Sequence, residues 1–208
     1  MKHRFQFFVV LTLVVLAIPM EDALAQHDLS LYRKSIYSSG SVEHSFYPWY
    51  MYSGTIFIDA RYNFDWEKTV GVFAGKSFGT DALSVVPTLG LLTGFGGDSY
   101  DGISPQVYLM GRGETYAFTL LNQYAFGVDG SPNYLYNWYE IFLTKPFAWL
   151  ELGVTEQTYY EFSDGSKMQA DIGPGTRVTV GLVYGKVWFA THTPEEGTRI
   201  YLTLGAAF

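Results

Sequence analysis

The sequence predicts an all-β fold: a closed antiparallel transmembrane β-barrel of about ten strands, with eight or twelve as alternatives. Three observations support this. Apolar and polar residues alternate with period two over most of the chain after residue 49, as in strands with one apolar face. Aromatic residues make up 18% of the sequence, which suits interfacial girdles. No run of eighteen apolar residues follows residue 25, so a spanning chain must pair its backbone in a closed sheet.

The first 25 residues are predicted to be a cleaved secretion signal. A basic segment at residues 2–4 precedes an apolar run over residues 5–20, which is shorter than the roughly 20 residues of a spanning helix. Residues 23–25, Ala-Leu-Ala, match the small-x-small cleavage pattern. The mature chain is therefore expected to begin at Gln26, and an uncleaved membrane anchor is the alternative.

Charge and cysteine content limit the kinds of partner and site that are expected for this chain. The formal net charge is −7, and the signal removes two basic and two acidic residues, so the mature chain keeps this charge. No basic stripe is present, so nucleic acid is not expected as a partner. The sequence has no cysteine, which excludes disulfides, thiolate metal sites and a lipoprotein anchor. No metal or cofactor is predicted.

Residues 26–48 are predicted to lie ahead of the barrel as a periplasmic lead-in, because they are polar and lack sustained alternation. The barrel is predicted to occupy residues 49–208. Its first strand, at 50–64, has the clearest pattern, with Asp59 and Arg61 on the inner face. The outer face has aromatics near both ends and aliphatics between them: Tyr50, Tyr52, Gly54, Ile56, Ile58, Ala60, Tyr62 and Phe64.

Nine further strands follow by the same criterion. They are predicted near 66–78, 82–93, 102–110, 114–126, 135–145, 147–160, 168–182, 186–192 and 198–208. An even count places both ends of the barrel on the periplasmic side, with short turns there and longer loops outside. Pro87, Pro105 and Pro174 fall inside predicted strands and predict β-bulges, because proline cannot donate to a ladder.

The last strand ends in an alternating apolar ladder formed by Ile200, Leu202, Leu204, Ala206 and Phe208. With the secretion signal and the alternating strands, this segment resembles the small outer-membrane β-barrels of Gram-negative bacteria. The resemblance covers most of the mature chain as a pattern and is specific at this strand. It implies location in the cell outer membrane, contact with membrane lipids and lipopolysaccharide, and periplasmic chaperones as partners during export. It also implies that the barrel-assembly machinery recognises Ile200, Leu202, Leu204 and Phe208; the oligomeric state stays open.

Seven charged residues are predicted by parity to point into the lumen: Asp59, Arg61, Glu140, Glu151, Asp171, Arg177 and Lys186. Side chains just fill a barrel of eight strands, whereas sixteen or more strands leave a water channel. A barrel of ten strands is closer in width to the filled eight-stranded barrel than to the open sixteen-stranded one. The favoured interpretation is a closed lumen in which these charges neutralise one another, because unpaired buried charges are costly. A narrow passage for small polar solutes is the alternative.

A catalytic site is not predicted. Only His192 among the three mature histidines lies at a predicted external rim, and no serine stands two or three residues from it. The nucleophile–histidine arrangement of rim-site barrel enzymes cannot be assembled from these residues. Residues 71–77 lack the spacing of a phosphate-binding loop, and residues 98–102 lack the ligand spacing of a calcium loop.

The sequence thus predicts a barrel without catalytic activity, either structural or a narrow passive channel. Binding of an extracellular ligand through loops 94–101 and 127–134 is the second hypothesis, and a rim-site lipid-modifying enzyme is the third. A soluble periplasmic β-sandwich is the non-membrane alternative.

Deleting Phe208 is expected to impair membrane insertion, because the terminal aromatic completes the predicted assembly signal. The measurement is the heat-modifiable gel band of the protein in membrane fractions. Phe208→Tyr, which keeps an aromatic ring, is the matched control and is expected to insert normally. Normal insertion of the deletion variant would contradict the prediction.

Overall fold

The structure is a computed structural model that describes residues 26–38, 41–54, 56–63, 69–80, 82–94, 100–128, 130–147, 149–163, 167–193 and 198–207. The predicted signal over residues 1–25 and the terminal Phe208 lie outside these residues. Within the described ranges, no helix is both long and apolar enough to span a membrane.

The described residues form thirteen strands. They are β1 (Gln26–Ser38), β2 (Ser41–Ser53), β3 (Phe57–Asn63), β4 (Thr69–Gly75), β5 (Phe78–Thr80), β6 (Leu83–Gly94), β7 (Gly102–Arg112), β8 (Tyr116–Gly127), β9 (Asn133–Phe147), β10 (Leu150–Phe162), β11 (Lys167–Val180), β12 (Val183–Thr193) and β13 (Thr198–Ala207).

Twelve of these strands close into one antiparallel barrel, which confirms the predicted fold class. Neighbours in the chain pair with each other, β4 pairs with β6, and β1 completes the ring by pairing with β13. The short β5 is an extra strand that pairs with the start of β6. The predicted count of about ten strands is wrong, and twelve was one of its two alternatives. Below, "terminal end" means the barrel end where β1 begins and β13 finishes, and "loop end" the opposite one.

Residues 26–38 and 41–48 lie in the barrel wall, so the prediction that residues 26–48 form a lead-in ahead of the barrel is wrong. β1 pairs with β13 on one side and with β2 along its whole length on the other. Its outward alternation is short: Leu29 and Leu31 are 54% and 47% exposed. Two alternating residues are too few to identify a strand from sequence.

The predicted first strand at 50–64 is a hairpin made from the end of β2 and all of β3. The chain reverses between Ser53 and Phe57, which face each other across the pair, and the Gly54 N–H donates to the Ile56 carbonyl at 3.0 Å. Directly opposite residues share a face of the sheet, and these two are four positions apart (57 − 53). The alternation of apolar and polar residues therefore continues through the turn in the same phase. The sequence pattern gives no sign that the chain reverses there.

Interrupted ladders, rather than the predicted bulges, accommodate the three prolines. Pro87 lies on β6 between the stretch that pairs with β5 and the stretch that pairs with β4. Pro105 and Pro174 each lie where one neighbouring ladder is unpaired, and the register is the same on both sides of each gap. A missing donor is thus tolerated without an inserted residue.

The outer surface carries an apolar belt, produced by the period-two alternation of the strands. Leu89, Leu91, Ile141, Leu143 and Ile172 are each more than half exposed, while the residues between them face inward. Tyr52 and Ile58, predicted to face lipid, are buried instead and pack with Tyr50 near the hairpin between β2 and β3.

Candidate functional site in the barrel lumen

The seven charged residues predicted to face the lumen lie in three groups along the barrel wall. The first is built on Asp59 and Arg61 of β3. The Asp59 carboxylate is fully buried and accepts hydrogen bonds from Gln106 Nε2 at 2.8 Å and from the Tyr108 hydroxyl at 2.7 Å. Arg61 lies 3.8 Å from the same carboxylate, donates to Gln106 at 2.8 Å and also donates to Gln123.

The Arg61 guanidinium also lies against aromatic rings. Its central carbon is 4.7 Å from the ring centre of Phe73, 5.4 Å from that of Trp49 and 5.8 Å from that of Tyr136. Cation–π attraction strengthens when the cation is desolvated. The first group therefore joins β3 to β2, β4, β7, β8 and β9 across the interior.

The second group brings four of the predicted residues together. Lys186 of β12 donates to Glu140 of β9, and both side chains are 7% exposed. Arg177 of β11 lies between two carboxylates, 3.4 Å from Glu140 and 2.9 Å from Glu151. Arg112, at the terminal end of β7, reaches Glu151 at 2.5 Å although 59% of its side chain is exposed. Charges of both signs therefore alternate through this group.

The third group lies on β11 and β13. The Asp171 carboxylate accepts from Arg199 at 3.0 Å and from the Tyr201 hydroxyl at 2.6 Å. Sequence analysis missed Arg199 as a lumen residue. Parity could have found it, since Arg199 precedes Tyr201 and Thr203 on the inner face of the final ladder. The outer face of that strand carries Leu202 and Leu204, which are 38% and 56% exposed, and Ile200, which is partly buried.

Aromatic side chains cross the lumen between these groups. Trp49 of β2 meets Trp138 of β9 edge to face at 6.2 Å between ring centres. Trp138 in turn contacts Trp188 at 6.0 Å, and Trp188 stacks on Tyr201 at 4.0 Å. In a ring of twelve strands, β2 and β9 are six positions apart in either direction. These two tryptophans therefore reach each other from opposite walls.

A cavity of about 220 Å³ lies toward the terminal end of the lumen. Its wall includes Asp28, three charges of the second group (Glu140, Arg177 and Lys186), and Trp49 and Trp138. Three further polar atoms of its lining residues are buried without a hydrogen-bond partner among the described residues: Trp49 Nε1, Arg177 Nε and Thr203 Oγ1. The residues that line this cavity are therefore polar and charged as well as aromatic.

Known proteins resemble this chain in structure and not detectably in sequence. No protein-family model matches it, and no curated protein is similar to it in sequence. The fold is similar to that of the NanC porin, with 13% identity, a TM-score of 0.55, and coverage of 88% of this chain and 98% of that one. It is also similar to an outer-membrane channel of Pseudomonas putida F1, with 10% identity, a TM-score of 0.55, and coverage of 91% and 98%.

These likenesses establish the fold, which is that of Gram-negative outer-membrane β-barrels, and confirm the resemblance seen in the sequence. The belt of half-exposed leucine, isoleucine and valine around the wall is what such a fold presents to lipid. Fold and surface agree with the predicted outer-membrane location.

Replacing Lys186 with Met is expected to destabilise the barrel by about 3–5 kcal/mol, because it leaves the Glu140 carboxylate buried next to one fewer cation. The double variant Glu140→Gln, Lys186→Met is expected to recover most of this loss. The measurement is denaturant unfolding of the protein in lipid vesicles. Arg112→Gln is the matched control at a cation that is itself 59% exposed and whose partner Glu151 keeps Arg177, so a loss of about 1 kcal/mol or less is expected. A single and a double variant of equal stability would contradict the prediction.

Proposed function

We propose that the protein is a non-catalytic barrel of the outer membrane whose lumen is closed by its own side chains, and that its role there is structural. The contact between Trp49 and Trp138 carries this proposal, because it joins opposite walls at 6.2 Å. Water cannot pass between two rings in contact, so this crossing narrows the lumen to the space on either side of it.

The surrounding side chains support the same conclusion. Trp188 and Tyr201 are fully buried beside the crossing tryptophans, and Phe57 packs on Tyr108 at 5.2 Å between ring centres. Close-packed aromatic clusters of this kind hold their shape, because each ring loses contact area if a neighbour moves. The lumen is therefore filled by packing as well as by paired charges.

A non-catalytic role is supported by how the lumen carboxylates are used. Asp59, Glu140, Glu151 and Asp171 all lie in ion pairs or accept hydrogen bonds from neighbouring side chains. A general base must reach a substrate proton, and these carboxylates are held by basic or hydroxyl groups of the barrel itself.

The wild-type protein is expected to give no steady conductance in planar bilayers, because the crossing tryptophans occlude the lumen. The double variant Trp49→Ala, Trp138→Ala is expected to conduct, with conductance that rises with salt. Trp149→Ala removes a ring that is 51% exposed and is the matched control, expected to stay silent. Heat-modifiable gel mobility verifies that each variant is folded. Steady conductance of the wild type would overturn the proposal.

A narrow passage for small polar solutes is the second candidate, and the cavity of about 220 Å³ favours it. An engineered apolar cavity of about 150 Å³ holds a benzene molecule, so this cavity has room for a small hydroxylated solute. The polar and charged side chains in its lining, Thr203, Glu140 and Lys186 among them, would bind and orient such a molecule.

Swelling of proteoliposomes in an isotonic pentose or hexose solution tests this candidate. A passage predicts faster swelling than in protein-free liposomes and a change of rate in Thr203→Val, which removes one of the cavity's polar groups. Thr155→Val is the matched control, because Thr155 is equally buried but does not line the cavity. Swelling equal to that of protein-free liposomes would exclude the passage and leave the structural proposal standing.

A further inference from the structure

The outer face of the barrel carries a polar patch inside its apolar belt. Asn122 of β8, Asn137 and Tyr139 of β9, and Glu156 and Thr158 of β10 form this outer polar patch. Strand parity places them on the lipid side, since their inward-facing neighbours Gln123, Trp138, Glu140 and Thr155 are buried. The same outer face continues below the patch with Ile141 and Val154, which are 56% and 49% exposed.

The five residues are neighbours across three strands. Asn122 faces Asn137, and Asn137 faces Thr158 in the same cross-strand row. Tyr139 faces Glu156 in the next row. Two hydrogen bonds connect them: the Tyr139 hydroxyl donates to Asn122 Oδ1 at 2.5 Å, and the Thr158 hydroxyl donates to Glu156 Oε1 at 2.8 Å.

The patch lies at the depth of the hydrocarbon. Glu156 is six residues from each end of β10 (156 − 150 and 162 − 156), which is roughly 20 Å along a tilted strand in both directions. Aromatic contacts mark the membrane boundaries on either side, Tyr124 with Phe162 toward the loop end and Phe147 with Trp149 toward the terminal end. Glu156 therefore lies between these two aromatic boundaries, nearer the loop end, within an apolar band about 25 Å tall.

Lipid cannot satisfy the polar groups at this depth. A carboxylate has about four acceptor positions, and the Thr158 hydroxyl occupies one of them. No cation among the described residues pairs with Glu156, and Asn137 Oδ1 is buried without a partner among them. Hydrocarbon offers no hydrogen bonds, and ionisable residues at such depth are costly and mark functional contacts. Lipid headgroups lie outside the hydrocarbon core, which leaves protein as the source of partners.

We propose that the outer polar patch is the contact surface of a homodimer within the membrane. The patch is complementary to itself, because Glu156 supplies acceptors while Asn122 and Asn137 carry amide donors. In a two-fold contact, the carboxylate of each copy meets the amides of the other, and both sets of groups are satisfied at once. The half-exposed side chains of Ile141, Val154 and Ile172 beside the patch would pack in the same interface.

Subunit counting by single-molecule photobleaching in lipid vesicles tests this proposal. The full-length protein, labelled outside the membrane, is expected to be dimeric as the protein-to-lipid ratio is lowered. Glu156→Leu is expected to weaken association by roughly tenfold or more, as expected for the loss of buried hydrogen bonds at a membrane interface. Folding is verified by heat-modifiable gel mobility, since this substitution suits lipid and should not prevent insertion.

A matched pair of variants separates the patch from the rest of the belt. Thr158→Val removes a hydroxyl inside the patch, and Thr191→Val removes an exposed hydroxyl on the outer face of β12. Thr158→Val is expected to weaken the dimer and Thr191→Val to leave it unchanged. A wild type that stays monomeric at every ratio, or a Glu156→Leu variant that dimerises like the wild type, would overturn the proposal. A higher unfolding midpoint of Glu156→Leu in such a monomer would identify the patch as a simple cost of lipid exposure.

Discussion

Backbone hydrogen bonding in a medium without water is the constraint on which this structure depends. Every N–H and C=O that crosses hydrocarbon needs a partner inside the protein, and a sheet meets this requirement when it closes on itself. Twelve strands do so here, with the seam between β1 and β13. Pro87, Pro105 and Pro174 show how the requirement is met locally: each lies where one neighbouring ladder is interrupted.

The interior follows from the width of that ring. A barrel of twelve strands has a wider interior than the eight-stranded barrel that side chains just fill. In this chain, large aromatic side chains and paired charges occupy that wider interior. Buried ions are costly unless each has a partner, which explains why Arg177 lies between Glu140 and Glu151. The aromatic crossing and the ion pairs occupy much of the described lumen, and a cavity lies near its terminal end.

Sequence parity predicted much of this arrangement, because period two decides which face a residue occupies. It placed Asp59, Glu140 and Asp171 inside, and it identified the closing ladder that carries Leu202 and Leu204. Parity failed where the physical signal is weak: β1 has two outward apolar residues, and the hairpin after Ser53 keeps the alternation in phase. It also cannot say which wall a side chain reaches. The meeting of Trp49 with Trp138 depends on strand count and barrel shape, which local pattern does not contain.

The seam has a consequence for how the molecule is made. Asp28 and Ala207 are direct partners although 179 positions separate them (207 − 28), so the last ladder joins the two ends of the described chain. Contacts at such separation are slow to form, because a long loop must close before they contribute. Until the final strand arrives, the growing sheet has two open edges that can recruit other chains. The ladder between β1 and β13 is therefore expected to form after the local hairpins of the barrel.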